Sequence, residues 1–280
     1  MRFAGGTRLA TRFRHAGGCL RACRLRRLSI RHGQLVICRH GEKLDQIPTE
    51  DVGVLVVDSR TSTYTHRSLI ELAEHGATTV LCGTNHLPKA IIIPCAANSL
   101  QAERVSAQVN VTLPTKKRLW KQLVTAKIHH QAENLPKESR QREYLSLLTQ
   151  RVRSGDPDNL EAQAAQIYWR CWLEDRPFKR CRYGRPPNDL LNYGYTVLRA
   201  AVARAIAGAG LHNSLGIHHK NQYDNFCLAS DLMEPFRPLV DHIVRQLWLG
   251  AKKEIDKETK TAILRLLTEP TSFKDGPSPL

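Results

Sequence analysis

The spacing of apolar residues changes near residue 96, where short strand-like segments give way to long helix-like ones. Before that point, β-branched and apolar residues form short runs in LSIRHGQLVICRHGEKLDQIP, which alternates around a His-Gly turn, in VGVLVVD and in TTVLCG. Such runs predict strands. Between the last two runs, THRSLIELAEHG has apolar residues at helical spacing, with Thr65 as a candidate N-cap and Gly76 at the C-terminal end. One helix is therefore expected to pack on the sheet.

Helical spacing then continues from about Leu100 to about Leu267. The clearest segment is DLLNYGYTVLRAAVARAIAGAG, which has an apolar stripe, Asn188 as a candidate N-cap, and Gly208 and Gly210 at its end. A stripe of this kind predicts a buried helix.

The two patterns together predict an α+β fold. We expect a small N-terminal β-rich domain over residues 28–95 and a larger all-α domain over residues 96–268. Residues 269–280 are rich in Pro and Ser and poor in apolar residues, which predicts a disordered tail. Residues 1–27 are rich in arginine and contain no acid. We expect them to form a flexible extension, with an organellar transit peptide or a misplaced start as the alternatives.

The charge of the chain favours an anionic partner. Lys and Arg number 42 against 26 Asp and Glu, so the formal net charge is +16. Ten of the arginines precede the first acid, Glu42, and removing their charge from +16 leaves +6 for the rest. A basic surface favours nucleic acid or an anionic membrane face. Aromatic residues are only 6% of the chain, which favours contacts with phosphates over the stacking of bases.

Other features of the composition exclude some classes of protein. No apolar run approaches the length of a transmembrane helix. The eight cysteines contain no C-x-x-C pair, so we expect reduced cysteines, a cytoplasmic protein and no zinc site. No G-x-x-x-x-G-K-[ST] motif occurs, which disfavours a P-loop ATPase.

Acids and histidines are gathered in one segment of this basic chain, GIHHKNQYDNFCLASDLMEPFRP. Asp231 and Glu234 are three residues apart, so on a helix both carboxylates would lie on one face and could bind one divalent cation. Pro235 predicts a kink or a helix end at the acids. Together with His219, these oxygen ligands favour Mg²⁺ or Mn²⁺ over zinc. Such a site suits chemistry at a phosphate.

Purely structural explanations of these residues remain open. The adjacent His218 and His219 are also typical of a solvated loop, and an acid pair three residues apart is also typical of an exposed helix face. Asp158 and Glu161 fit a capping box at the start of the helix LEAQAAQIYW. The local sequence favours this capping box over a catalytic role for Glu161.

Three motifs, in order, resemble those of the CRISPR-associated adaptation integrase, the subunit that inserts new spacers into CRISPR arrays, and above all its type II branch. They are GDPDNLEAQAAQIYW, NDLLNYGYTVLRAAVARAI and LGIHHKNQYDNFCLASDLMEPFRPLVD. The resemblance spans roughly residues 28–267. It implies a metal-binding and catalytic site formed by Glu161, His219 and Glu234.

Two neighbouring residues are alternatives within that site. The resemblance makes Asp231, the first acid of the D-x-x-E motif, a secondary candidate, as a ligand or a helper. His218 could take the role of its neighbour, although the spacing from Gly216 favours His219.

The resemblance also implies a metal-dependent DNA integrase with nuclease activity, in which a DNA 3′-hydroxyl attacks a phosphodiester of the repeat. The implied partners are double-stranded DNA, a second copy of the chain and the small CRISPR adaptation subunit in a heterohexamer. The type II effector nuclease is a further candidate partner, and the β-rich domain would mediate dimerisation and contact with the small subunit. Two rival functions remain: a metal-dependent endonuclease that acts on branched DNA, and a non-catalytic DNA-binding scaffold.

Basic residues near the acids are candidate phosphate ligands, with a solvated surface as the alternative. Arg237 is expected to pair with a carboxylate or a phosphate. The loop EDRPFKRCRYGRPP supplies one set and the segment after Thr115 a second: Arg176, Lys179, Arg180, Arg182 and Arg185, and Lys116, Lys117, Arg118 and Lys121.

Overall fold

Two four-stranded sheets form the N-terminal part of the protein in this computed structural model. The structure describes residues 18–23, 27–39, 41–59, 61–84, 88–95, 98–173, 176–181, 183–184, 186–252 and 254–265. The strands are β1 (Gly18–Cys23), β2 (Arg27–Arg31), β3 (Gln34–Arg39), β4 (Glu42–Pro48), β5 (Val52–Asp58), β6 (Thr63–Tyr64), β7 (Thr78–Cys82) and β8 (Pro88–Ile92). One sheet has the order β1-β5-β7-β8 and the other the order β4-β3-β2-β6. Helix α1 (His66–Glu74) follows β6.

The second of these sheets contains an antiparallel meander. Strands β2, β3 and β4 pair in sequence order, and Arg31 lies opposite Gln34 across a turn at His32 and Gly33. The two turn residues have φ angles of 50° and 68°, a conformation that suits glycine and a hairpin turn. The turn predicted from the His-Gly pair is confirmed.

Strand β5 contributes to two hydrophobic cores. All of its residues are buried, as expected for an inner strand with parallel neighbours, here β1 and β7. Val54 and Val56 belong to the core that the helices form, whereas Leu55 and Val57 pack with Leu72 of α1 and with the second sheet. Because side chains alternate along a strand, the first sheet lies between the second sheet and the helices.

Helices make up most of the remaining described residues. They are α2 (Gln101–Val109), α3 (Leu113–Glu133), α4 (Arg140–Arg151), α5 (Leu160–Cys171), α6 (Asn188–Gly208), α7 (Cys227–Leu232), α8 (Arg237–Leu249) and α9 (Lys257–Arg265). Helix α6 is central, since it contacts α7, α8, α9 and strand β7. Among the described residues, no helix combines the length and the apolar character needed to cross a membrane.

The α+β fold, with strands first and helices after them, is confirmed. Thr65 caps α1 as predicted, because its Oγ1 accepts the N–H of Ser68 at 3.2 Å. The start of α6 differs from the prediction. Asn188 is the first helical residue and Pro187 occupies the N-cap position. The Oδ1 atom of Asn188 instead accepts the N–H of Cys181 at 2.8 Å, which holds the preceding loop.

Strand β1 lies inside the segment that the sequence analysis assigned to a flexible extension. It pairs in parallel with β5, so that expectation is wrong for Gly18–Cys23. The residues of β5 that pair with this strand are about 35 residues away along the chain, and arginine content does not reveal such pairing. Residues 1–17 and 24–26, like the predicted tail at 269–280, lie outside the described residues.

A buried ion pair connects the strands with helix α9. The Nζ atom of Lys260 lies 2.7 Å from Oδ2 of Asp58, at the end of β5. These residues are 1% and 5% exposed. The Lys260 ammonium group also lies 5.6 Å from the ring centroid of Tyr193 on α6. Three elements that are distant in sequence therefore meet at one buried charged contact.

Candidate active site

Glu161 lies in the first turn of α5, and its carboxylate does not serve as a helix cap. The carboxylate of Asp156 accepts the N–H groups of Leu160 at 2.9 Å and of Glu161 at 3.0 Å. Asp158 instead pairs with Arg153, with 2.8 Å between Oδ1 and Nη2. The capping box favoured by the local sequence is therefore wrong. Because Asp156 binds the free N–H groups of the helix, the Glu161 side chain is available for other contacts.

Lys127 of α3 bridges the two glutamates of the predicted site. Its Nζ lies 2.6 Å from Oε1 of Glu161 and 2.5 Å from Oε2 of Glu234. The second carboxylate oxygen of Glu234 lies 2.8 Å from Nε of Arg237. The side chains of Lys127 and Glu234 are only 11% and 5% exposed, so these contacts are largely shielded from water. The fold thus brings together two acids that are far apart in the sequence.

The charges in this cluster shift each other's pKa. Burial by itself would raise the pKa of Glu234, but the positive charges of Arg237 and Lys127 outweigh it, and the pKa is lowered. Burial likewise would lower the pKa of Lys127, but the charges of Glu234 and Glu161 outweigh it, and the pKa is raised. Glu234 is therefore a carboxylate and Lys127 an ammonium group at neutral pH.

The helix ends at the acids, as Pro235 predicts. Helix α7 ends at Leu232, a 3₁₀ turn covers Glu234–Phe236, and α8 begins at Arg237. The carboxylates of Asp231 and Glu234 have different partners. Glu234 contacts Lys127 and Arg237, whereas Asp231 contacts the loop that carries the histidines.

Asp231 holds that loop through four hydrogen bonds. Its carboxylate, which is fully buried, accepts the backbone N–H groups of Ile217, His218 and His219 at 2.6, 2.9 and 3.2 Å. The Nδ1 atom of His219 donates a fourth, with 2.5 Å between Nδ1 and Oδ1. Among the roles considered for Asp231, the geometry favours that of a helper.

His219 presents its other ring nitrogen, Nε2, away from this hydrogen bond. The hydrogen bond to Asp231 raises the pKa of His219, burial lowers it, and the charges of Asp231, Glu234 and Glu161 raise it further, so the pKa is raised overall. A histidine whose Nδ1–H is held by a carboxylate is the usual form of a metal-ligating imidazole. The side chain is 47% exposed, so the imidazole is only partly enclosed by the protein.

His218 has a different environment. Its ring stacks on Trp120 of α3, with 4.1 Å between centroids and 5° between planes. His219 meets the same indole edge-on at 5.9 Å. The geometry therefore favours His219 over His218 as the functional histidine, in agreement with the spacing from Gly216.

The donor set fits a hard divalent cation. Two carboxylate oxygens converge on one positive charge, the ammonium group of Lys127, and a carboxylate-supported imidazole lies close enough for both acids to affect its pKa. Mg²⁺ and Mn²⁺ prefer such ligands. Across the described residues, no three His, Cys, Asp or Glu side chains are already grouped as metal ligands. The structure thus assembles the carboxylate pair, with the histidine nearby.

Comparison with known proteins decides the family. A family model described as CRISPR associated protein Cas1 matches residues 24–266, which is most of the chain. This chain belongs to the Cas1 family. The resemblance noted in its three motifs is thereby confirmed.

Individual Cas1 proteins and structures agree with this assignment. The chain is 38% identical over 224 residues to the CRISPR-associated endonuclease Cas1 of Neisseria meningitidis serogroup C (strain 8013). The aligned region covers 79% of this chain and 73% of that protein. The structural match to a chain of a Cas6-RT-Cas1–Cas2 complex covers 94% of this chain and 33% of that chain, with a TM-score of 0.75 and 18% identity. The match to a casposase bound to integration product covers 89% of this chain and 81% of the casposase chain, with a TM-score of 0.71 and 18% identity. At 18% identity, these two structures show the fold alone.

The predicted DNA-contacting residues of this Cas1 chain have unequal environments. Lys179 is exposed, and so is Arg176, although its guanidinium group lies 5.3 Å from the ring centroid of Trp248. Arg180 is partly buried and donates to Asn192 at 2.5 Å, which indicates a structural role. Arg182 and Arg185 lie outside the described residues.

The second basic set lies at the start of α3, the helix that also carries Trp120 and Lys127. Lys117, Arg118 and Lys121 are exposed and Lys116 is half-buried. They precede or follow Trp120, the residue on which His218 stacks, along the same helix. Arg237, as predicted, pairs with a carboxylate, that of Glu234.

The buried residues that surround the candidate site residues of this Cas1 chain were not identified from the sequence. Lys127 lies on the buried face of α3 together with Trp120 and Val124, and a lysine within an apolar stripe was the available signal. Tyr195 lies under the Arg237 guanidinium group at 4.7 Å, and its hydroxyl donates to the buried Asp241. Burial raises the pKa of Asp241 to about 7. Nothing in the local sequence around these two residues indicates their contact.

Proposed function

We propose that this Cas1 protein is a metal-dependent DNA integrase that inserts short duplexes, as new spacers, into a CRISPR array. The observation that supports this most is the convergence of the Glu161 and Glu234 carboxylates beside His219 in a strongly basic chain. Membership of the Cas1 family supports the endonuclease or integrase class. The fold also resembles that of a casposase bound to integration product, which supports integration as the reaction.

In this proposal, Glu161, Glu234 and His219 hold the cation. A bound Mg²⁺ or Mn²⁺ would polarise the phosphate that is attacked and stabilise the leaving oxygen. The Nε2 atom of His219 either ligates the cation or accepts the proton of the attacking 3′-hydroxyl group. Asp231 orients His219, and Arg237 holds Glu234 in place.

The DNA would approach across the basic start of α3. Lys117, Arg118 and Lys121 are exposed there, on the helix that leads to Lys127. Cations placed in this way would contact phosphates and position the duplex without reading its sequence.

The proposed assembly contains more than one chain. The fold resembles that of a Cas6-RT-Cas1–Cas2 complex, which supports a small adaptation subunit as partner. A homodimer, a heterohexamer with that subunit, contact with the type II effector nuclease and a cytoplasmic location are further parts of the proposal.

A strand-transfer assay tests the reaction. The wild type, the small adaptation subunit, a labelled duplex with free 3′-hydroxyl groups, a supercoiled plasmid bearing a repeat, and Mn²⁺ should give label joined covalently to the plasmid. Glu161→Ala, His219→Ala and Glu234→Ala should each reduce joining by at least about 100-fold, because each removes a proposed ligand of the cation that would stabilise the developing negative charge.

Glu143→Gln serves as the control, since Glu143 is an exposed acid on α4 and its loss should leave joining unchanged. Nicking of the plasmid without joining would indicate that the protein is an endonuclease and not an integrase. Bound DNA with neither product would favour the scaffold.

A second prediction concerns Gly216, in the G-x-x-H motif. A Cβ atom at this position would overlap the carbonyl oxygen of His219 and lie 3.0 Å from Oδ2 of Asp231. Gly216→Ala should therefore displace the loop and reduce strand transfer by about 100-fold, the scale expected for an approximately 1 Å misplacement. Gly208→Ala is the control, because nothing lies within 4 Å of a Cβ atom at that position. Equal activity of the two variants would contradict this account of the glycine.

A further inference from the structure

Lys127 is more deeply buried than a lysine without partners could be. It lies on the inward face of α3 among Trp120, Val124 and Ile128 and is 9% exposed. A buried ammonium group is tolerated only when it is paired with acids or other acceptors. Here its partners are the two carboxylates of the candidate site, at 2.6 and 2.5 Å.

Those two carboxylates come from separate parts of the chain and carry the same charge. Glu161 opens α5, whereas Glu234 lies in the 3₁₀ turn that precedes α8. Two carboxylates brought close together in a partly buried site repel each other. Arg237 contacts only Glu234 of this pair. Among the described residues, Lys127 is the cation that contacts both acids, so it offsets their repulsion.

A divalent cation bound between the same two carboxylates would lie close to the point that the ammonium group of Lys127 now occupies. Oε1 of Glu161 and Oε2 of Glu234 both face the ammonium group. A second cation at that point would be repelled by the ammonium group. The four-carbon stem of a lysine is flexible enough for the charge to move while the methylene groups stay packed.

We infer that Lys127 is a positioning residue that holds Glu161 and Glu234 together in the metal-free protein and competes with the divalent cation for them. This inference rests on the proposed function, because it assumes that the two glutamates bind the cation. Lys127 therefore stabilises the carboxylate pair when no metal is bound, and it lowers the affinity of that pair for metal.

Mn²⁺ binding to the full chain, measured by isothermal titration calorimetry without DNA, tests the inference. Lys127→Met keeps the apolar stem and removes the charge. We expect Lys127→Met to bind Mn²⁺ about tenfold more tightly than the wild type, at the lower end of the range over which groups around a metal site change its affinity. The melting temperature in EDTA should fall, and Mn²⁺ should raise it by more than it does in the wild type.

Lys121→Met is the matched control, since Lys121 lies on the same helix and is exposed. It removes one positive charge without touching the glutamates, so it should leave Mn²⁺ affinity close to that of the wild type. Lys127→Gln provides a second variant if methionine prevents folding, because its amide can donate to one carboxylate without carrying a charge. The same gain in affinity is expected.

The outcomes separate this inference from the proposed function. If the wild type binds no Mn²⁺, or if Glu234→Gln binds Mn²⁺ as tightly as the wild type, the assignment of the metal site is wrong. If binding depends on Glu234 but the Lys127 variants bind Mn²⁺ equally or more weakly, competition by Lys127 is overturned while the metal site stands. A lower melting temperature with an unchanged response to Mn²⁺ would show that Lys127 only stabilises the fold.

Discussion

Replacement of Asp231 by asparagine should lower the free energy of unfolding by about 3 kcal/mol and release the segment that carries His219. The Asp231 carboxylate is fully buried and accepts hydrogen bonds from three consecutive backbone N–H groups and from His219. An asparagine of the same shape has one acceptor oxygen instead of two and directs an NH₂ group at some of these donors. Several buried donors would then lack an acceptor.

Urea unfolding followed by circular dichroism measures the loss of stability. Asp51→Asn is the control, because Asp51 is exposed in the 3₁₀ turn Thr49–Asp51. Its effect should be close to zero. A similar effect of the two substitutions would contradict the role assigned to Asp231.

The same substitution should change how stability depends on pH in EDTA. The folded protein raises the pKa of His219, first through its hydrogen bond with Asp231. The protonated pair therefore contributes stability that is fully present below the unfolded pKa of about 6.5. This contribution is lost as the pH rises through the higher folded pKa. In Asp231→Asn this dependence should weaken, and NMR titration should show a lower pKa for His219.

Replacement of Lys260 by methionine should also lower the free energy of unfolding by about 3 kcal/mol. The substitution removes the ammonium group that lies 2.7 Å from Oδ2 of Asp58, where both side chains are only 2% exposed. The remaining carboxylate would stay in the interior without its cation, and breaking a buried pair on one side costs more than the intact pair contributes. Urea unfolding again measures the effect.

Two further variants complete this test. Lys137→Met, at an exposed position between α3 and α4, controls for the loss of a lysine and should leave stability nearly unchanged. The double substitution Asp58→Leu with Lys260→Met should recover most of the loss, because it replaces the buried pair by apolar groups. A double variant as unstable as Lys260→Met alone would show that the unpaired charge of Asp58 is not the cause of the loss.

The regular elements of this protein are mostly local in origin, which is why the pattern of apolar residues predicted them. VGVLVVD has the pattern of a buried strand because its alternate residues face two different hydrophobic cores. THRSLIELAEHG has the pattern of a helix with its N-cap. The prediction failed for β1, since GCLRAC forms a strand by pairing with β5. Pairing over such a distance depends on the whole sheet and leaves little trace in a short segment.

The sequence by itself determined the order of strands and helices, the three motifs and the residues Glu161, His219 and Glu234 as site candidates. Only the tertiary structure decided their partners. Lys127 joins the two glutamates, and Asp231 supports His219. Asp156, not the Asp158 of the local pattern, binds the free N–H groups of α5. The physical reason is that secondary structure follows from contacts between near neighbours, whereas charges and hydrogen bonds in a buried site are satisfied by whichever groups the folded chain brings together.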